Sequence, residues 1–140
     1  MTQEVKRKSI ERKSIEMDRA DKAWEFAIEG KLEAPKKYPS HVKEFPMLIL
    51  TNGLLNAVAF AYEKGKVNND ENGDKGWELI YQQIGNWLGA DNESGLLKTE
   101  FDTNNELMTV LLAIKQDATK LRLVTTEIIA LFTWLKRFVA

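Results

Sequence analysis

A chain of 140 residues, 44% hydrophobic and 29% charged, has the size and composition of one ordinary soluble domain that buries its core without covalent staples. It contains no cysteine and a single histidine, His41, which excludes disulfides, thiolate metal sites, a cysteine nucleophile and any paired-histidine site. The net charge of -1 is not that of a basic nucleic-acid tail, and no apolar run approaches the ~20 residues that cross a bilayer.

The first helix is expected from about Glu4 to about Glu29, with Met17, Ala20, Trp24, Ala27 and Ile28 on its apolar stripe and Gly30 closing it. It starts with RKSIE twice in tandem, at residues 7–11 and 12–16. A five-residue step turns a helix by about 140°, so Ile10 and Ile15 do not share a face. Residues 1–16 therefore read as a solvated or frayed extension. The polar, charged start is unlike a signal peptide, and a cytoplasmic protein is expected. Pro35 and Pro39 frame a connector, and Ser40 suits the cap of a short helix over His41 to Glu44.

Pro46 suits the first turn of a third helix reaching Lys64, apolar almost all round and so expected at the centre. Gly53 in its interior costs about 1 kcal/mol relative to alanine, which points to a neighbouring helix passing close by. Asn52 beside it reads as a buried amide that needs partners. Residues 65–76 form a loop, and Asp74 can cap a helix whose apolar face is Trp77, Ile80, Tyr81, Ile84 and Leu88. A second loop covers residues 89–102, and Thr103 with Glu106 has capping-box spacing.

No Gly or Pro follows. One helix over residues 105–139 would run roughly 50 Å, long for this domain, so a break is expected near Gln116-Asp117, with Asp117 or Thr119 as the new cap. The last helix carries Leu121, Val124, Ile128, Leu131, Leu135 and Phe138 at steps of three and four, a packing seam. The reading is an all-α, single-domain bundle of about six helices over residues 1–140.

Catalytic patterns are missing. There is no phosphate-binding glycine loop, no His-based metal motif and no EF-hand spacing. Asp117 and Glu127, the acids of the last third, lie about 15 Å apart on a helix. No enzyme, no metal and no cofactor are expected. Trp24 and Trp77 read as core, while Trp134 lies beside the seam.

Charge is uneven. Residues 1–62 carry a net +2, residues 63–106 a net -6 and residues 107–140 a net +3. On the last helix, Arg137 is about 60° to one side of Arg122 and Lys136 about 40° to the other, so the three share a broad face away from the seam. Arg19 and Lys22 extend that face if the first helix packs beside the last. Such a face suits a phosphate backbone or an acidic partner; a solvated surface is the plain alternative.

Three segments resemble one family. DRADKA at residues 18–23 is similar to a D-x-x-R-A helix start. PMLILTNGLLNAVAF at 46–60 resembles P-x-x-I-x-x-N-G-L-x-x-x-x-A-F, and LRLVTTEIIALFTWLKRF at 121–138 resembles Y-R-x-x-T-x-E-A-x-x-x-x-x-W-L-K-R-F. The family is the small α-helical subunit of the Cmr complex, the type III-B CRISPR RNA-guided effector. Leu121 stands in place of its tyrosine and Ile128 in place of its frequent alanine.

The resemblance implies a non-catalytic subunit in antiviral defence, present in several copies. It would pack along backbone subunits, near the large subunit, and touch guide and target RNA weakly and without sequence preference. Arg19, Lys64, Arg122 and Arg137 match basic positions of the family and become candidate RNA or subunit contacts; Lys22 and Lys136 join them from geometry. Asn52 and Gly53 carry over as a structural signature. A helical adaptor or self-associating bundle with no nucleic-acid role is the competing reading.

Overall fold

The computed structural model describes residues 3–66, 73–89, 95–103 and 106–140, with side chains from residue 15 onward except that of residue 103. Seven helices and no strand occur among the described residues: α1 (Gln3–Glu33), α2 (Lys37–Asn52), α3 (Leu54–Gly65), α4 (Lys75–Leu88), α5 (Lys98–Thr103), α6 (Leu107–Ala113) and α7 (Ala118–Phe138). The all-α expectation holds. The helices share one apolar core, in which Tyr38, Phe45, Trp87, Ile128 and Leu135 are fully buried. α4 sits among α1, α2, α3 and α6, and α7 lies along α1 and α2.

Local chemistry sets two helix starts as expected. The Asp74 carboxylate accepts from Trp77 N at 3.2 Å and begins α4, and Asp117 accepts from Lys120 N at 3.0 Å and begins α7. The chain breaks between α6 and α7 at the expected place. Buried Val124, Ile128, Leu131 and Leu135 form the seam of α7, with Leu121 and Phe138 half-buried at its ends.

Other boundaries differ. α1 continues through Gly30 to Glu33, because Gly30 is a place of close approach rather than an end. The Tyr38 ring occupies the space a Cβ would need there. The Tyr38 hydroxyl donates to Gln83 Oε1 at 2.6 Å, and Gln83 Nε2 donates to Phe26 O at 3.2 Å, which ties α1, α2 and α4 together. The apolar stripe of α1 is also displaced. Ala23, Phe26 and Ala27 are buried, whereas Met17 is 66% and Trp24 55% exposed, with Ile28 and Leu32 exposed beside them. The small residues let α1 approach the bundle closely, and that face wins over the larger apolar one. The RKSIE repeats lie in α1, which starts at Gln3; the expectation of a solvated extension falls, up to residue 14, on side chains outside the described residues, while Ile15 is half-buried and Glu16 exposed.

Pro35 lies in the break between α1 and α2 as expected, but neither Pro39 nor Pro46 bounds a helix. Pro39 occupies the first turn of α2, where a missing N–H costs nothing. Pro46 lies inside α2, which runs on to Asn52 because Val42, Phe45 and Ile49 bury one continuous face across it. Ser40 is inside this helix, not its cap. The break comes instead at Gly53, with φ 85° and ψ 161°. No atom lies within 4 Å of a Cβ placed there, so the expected close neighbour is absent and the glycine serves the backbone turn. Asn52 is exposed, not buried; its carbonyl accepts from Asn56 Nδ2 at 2.9 Å.

The stretch expected as a loop over 89–102 contains α5. Leu97 is fully buried, and its N–H donates to Leu88 O at 2.9 Å. Glu106 does not close a capping box; it is the residue before α6, and its carboxylate accepts from the Tyr81 hydroxyl. The side chain of Thr103 lies outside the described residues, as do residues 67–72 of the other expected loop.

Candidate nucleic-acid and subunit interface

α7 turns one stripe inward and the opposite stripe outward. Arg122, Thr126, Thr133, Lys136 and Arg137 are all exposed. The only acid between Ala118 and Phe138 is Glu127, which is buried. The outward face therefore holds three cations and no carboxylate, spread over about 21 Å from Arg122 to Lys136. Arg122 and Lys136 have no ion-pair partner among the described residues. The Arg137 guanidinium lies over the Trp134 ring at 5.3 Å, a cation–π contact that leaves its N–H groups free to donate. Between them, the hydroxyls of Thr125, Thr126 and Thr133 donate to the carbonyls four residues back at 2.8, 3.0 and 2.9 Å. Donors for a ligand on this face come from the cations.

Three further candidates are placed elsewhere. Lys22 pairs with Glu25 at 3.3 Å and lies over the Phe26 ring, on an acidic side of α1 that also carries Asp18, Asp21 and Glu29. Lys64 sits at the end of α3, 5.6 Å over the Phe60 ring, on a helix that packs against α2, α4 and α6. Arg19 points inward. Its Nε and Nη2 donate to the Glu127 carboxylate at 2.7 and 2.9 Å, and Trp87 Nε1 donates to the same carboxylate at 3.1 Å. The hydrogen bonds to Glu127 outweigh burial and raise the Arg19 guanidinium above its ordinary value. The structure thus joins Arg122, Lys136 and Arg137 on one face and makes Arg19 an internal tie between α1 and α7.

That tie was absent from the sequence reading, although a signal for it exists. Glu127 stands on the buried seam, three residues after Val124 and four before Leu131. A carboxylate there requires a buried donor. His41 also acquires a structural place. Its ring stacks on Trp77 at 4.2 Å and 13°, and Nε2 is 2.9 Å from Asp74 Oδ2. Among the described residues no group of three or more His, Asp or Glu could hold a metal ion, and no helix is long and apolar enough to cross a membrane.

On α1, the exposed Met17, Trp24, Ile28 and Leu32 recur at steps of seven, four and four, a row along one side. Trp24 packs edge-on against Phe138 of α7 at 5.1 Å. The bundle therefore offers an apolar row on α1 and a cationic face on α7. Residues 15–140 of the chain match the family described as CRISPR-associated protein (Cas_Cmr5).

Proposed function

Because the chain belongs to the Cas_Cmr5 family of CRISPR-associated proteins, the small subunit of the type III-B Cmr complex, we propose that it acts as a non-catalytic packing subunit of that effector in the cytoplasm. It lies along the backbone subunits in several copies, near the large subunit. It lines the guide–target RNA path and leaves cleavage to other subunits. The supporting observation is the outward face of α7, where Arg122, Lys136 and Arg137 stand without a carboxylate among them. Phosphates are recognised by such cations without regard to sequence, and the attraction weakens with salt. Arg122, Lys136 and Arg137 are the proposed RNA contacts. Lys22 and Lys64 are proposed at subunit boundaries, and Arg19 supports the fold from within.

Arg122→Glu combined with Arg137→Glu tests this assignment. The expected result is loss of a salt-sensitive mobility shift with single-stranded RNA while the helical content stays unchanged. Unaltered binding would remove these residues from the interface. The exposed row of Met17, Trp24, Ile28 and Leu32 favours one other reading, a self-associating adaptor. That reading expects a stable oligomer by light scattering and no response to RNA. In the Cmr reading the same row faces a neighbouring subunit.

A further inference from the structure

Where α2 breaks into α3, the start of α7 lies across the break and leaves an open cleft of about 420 Å³. Ligand pockets are commonly this large. The floor is apolar: Ile49 and Leu54 are buried, and Leu121 packs on the core beside them. The rim is basic, formed by Lys115 and Arg122, both exposed and neither with an ion-pair partner among the described residues. Asp117 stands between them in sequence, but it does not line the cleft, and its carboxylate is turned to Lys120 N of α7.

This combination selects a ligand. A bare phosphate would leave the apolar floor uncovered, and a hydrocarbon would leave two cations unused. A flat, weakly polar body joined by a short link to an anion satisfies both. We infer that this cleft is a binding site for one nucleotide of an RNA strand, with the base on Ile49, Leu54 and Leu121 and a phosphate at Arg122 and Lys115. The inference rests on the RNA-contacting reading of α7, because Arg122 belongs both to the rim and to that outward face. It adds a base-dependent component to a contact otherwise made through phosphates.

The test is fluorescence anisotropy of the full chain at low and moderate salt with two labelled probes: a ten-residue oligouridine and a ribose–phosphate oligomer of the same length without bases. Oligouridine should bind about fivefold more tightly, which corresponds to burying roughly 40 Å² of apolar area of one base on the aliphatic floor. Ala118 lies on the cleft and is exposed at the first position of α7. Ala118→Phe should fill the mouth and erase the preference while leaving the salt dependence intact. Arg122→Gln, on the exposed rim, should reduce the salt slope by about the 0.7 expected for one single-strand phosphate.

Equal binding of both probes to the unaltered protein would overturn the cleft and leave the cationic face standing. No binding of either probe at low salt would overturn both readings. A short alternating Leu-Glu peptide that binds the unaltered protein but not the Ala118→Phe variant, with the oligouridine preference untouched by that variant, would give the cleft to a protein side chain instead.

Discussion

The Glu127 carboxylate is the residue on which the α1–α7 contact turns. It accepts two hydrogen bonds from Arg19 and one from Trp87 while only 7% exposed. Removing it leaves a largely buried guanidinium and an indole N–H without partners. Losing one side of a buried pair costs about 3 kcal/mol or more. Glu127→Ala should therefore lower the urea midpoint with the slope unchanged. Adding Arg19→Ala should recover part of the loss, since it removes the stranded charge, and a double-mutant cycle measures that coupling. Purely additive losses would mean the pair contributes nothing as a pair.

Asp74 gives a pH dependence with a fixed sign. Burial alone would raise its carboxyl, but hydrogen bonds from His41 and Trp77 N, with Lys37 3.8 Å away, outweigh this and hold it below its ordinary value. The folded state thus binds the Asp74 proton less readily than the unfolded chain does. Its contribution is complete above the unfolded value near pH ~4 and is lost as pH falls through the lower folded value. Asp74→Asn should flatten the stability profile in that acid window, and it should cost about 1 kcal/mol or less at neutral pH because asparagine also caps helices. An unchanged acid limb would show that Asp74 does not carry the effect.

At the scale of elements, the two glycines of opposite behaviour are Gly53 and Gly85. Gly53 has a backbone conformation that is essentially reserved for glycine. Gly53→Ala should destabilise by about 1–3 kcal/mol although the space is open. Gly85 is helical within α4, and an added Cβ would meet Leu107 Cβ at 3.8 Å, an ordinary contact. Gly85→Ala should stabilise by about 0.5–1 kcal/mol. Thermal melts of the two variants decide between this account and one in which α2 and α3 are one helix, where both changes would stabilise.

The same elements show what a sequence makes legible. The caps at Asp74 and Asp117 and the seam of α7 follow from contacts within one or two turns, so local spacing was enough. The course of α2 through Pro46 and the close approach at Gly30 depend on packing between helices, where Tyr38 of α2 fills the space beside Gly30 of α1 and is held by Gln83 of α4. Periodicity could not separate the two apolar sides of α1, since both have helical spacing. The larger residues were the wrong guide, because Ala23, Ala27 and Gly30 are what allow the helix to dock. The basic face of α7 was legible because it needs one helix only. The Arg19–Glu127 tie needs two helices 108 residues apart in sequence, and only Glu127 on the seam hinted at it.

At the scale of the whole molecule, charge is unevenly divided along the chain. The stretch 107–140 is net +3 and the stretch 63–106 net -6, and the attraction for a polyanion is centred on the exposed cations of α7. The apolar row on α1 adjoins the outward face of α7, because Trp24 packs on Phe138 at 5.1 Å and Phe138 on Trp134, over which Arg137 lies. In the function proposed above, a subunit that packs on protein and RNA together would use that adjacency. The most direct measurement is size-exclusion chromatography of this chain reconstituted with the other Cmr subunits and a guide RNA. Co-elution with the assembled complex at a fixed stoichiometry is the predicted result. Elution of the chain alone as a small globule, with the remaining subunits assembled, would contradict the account.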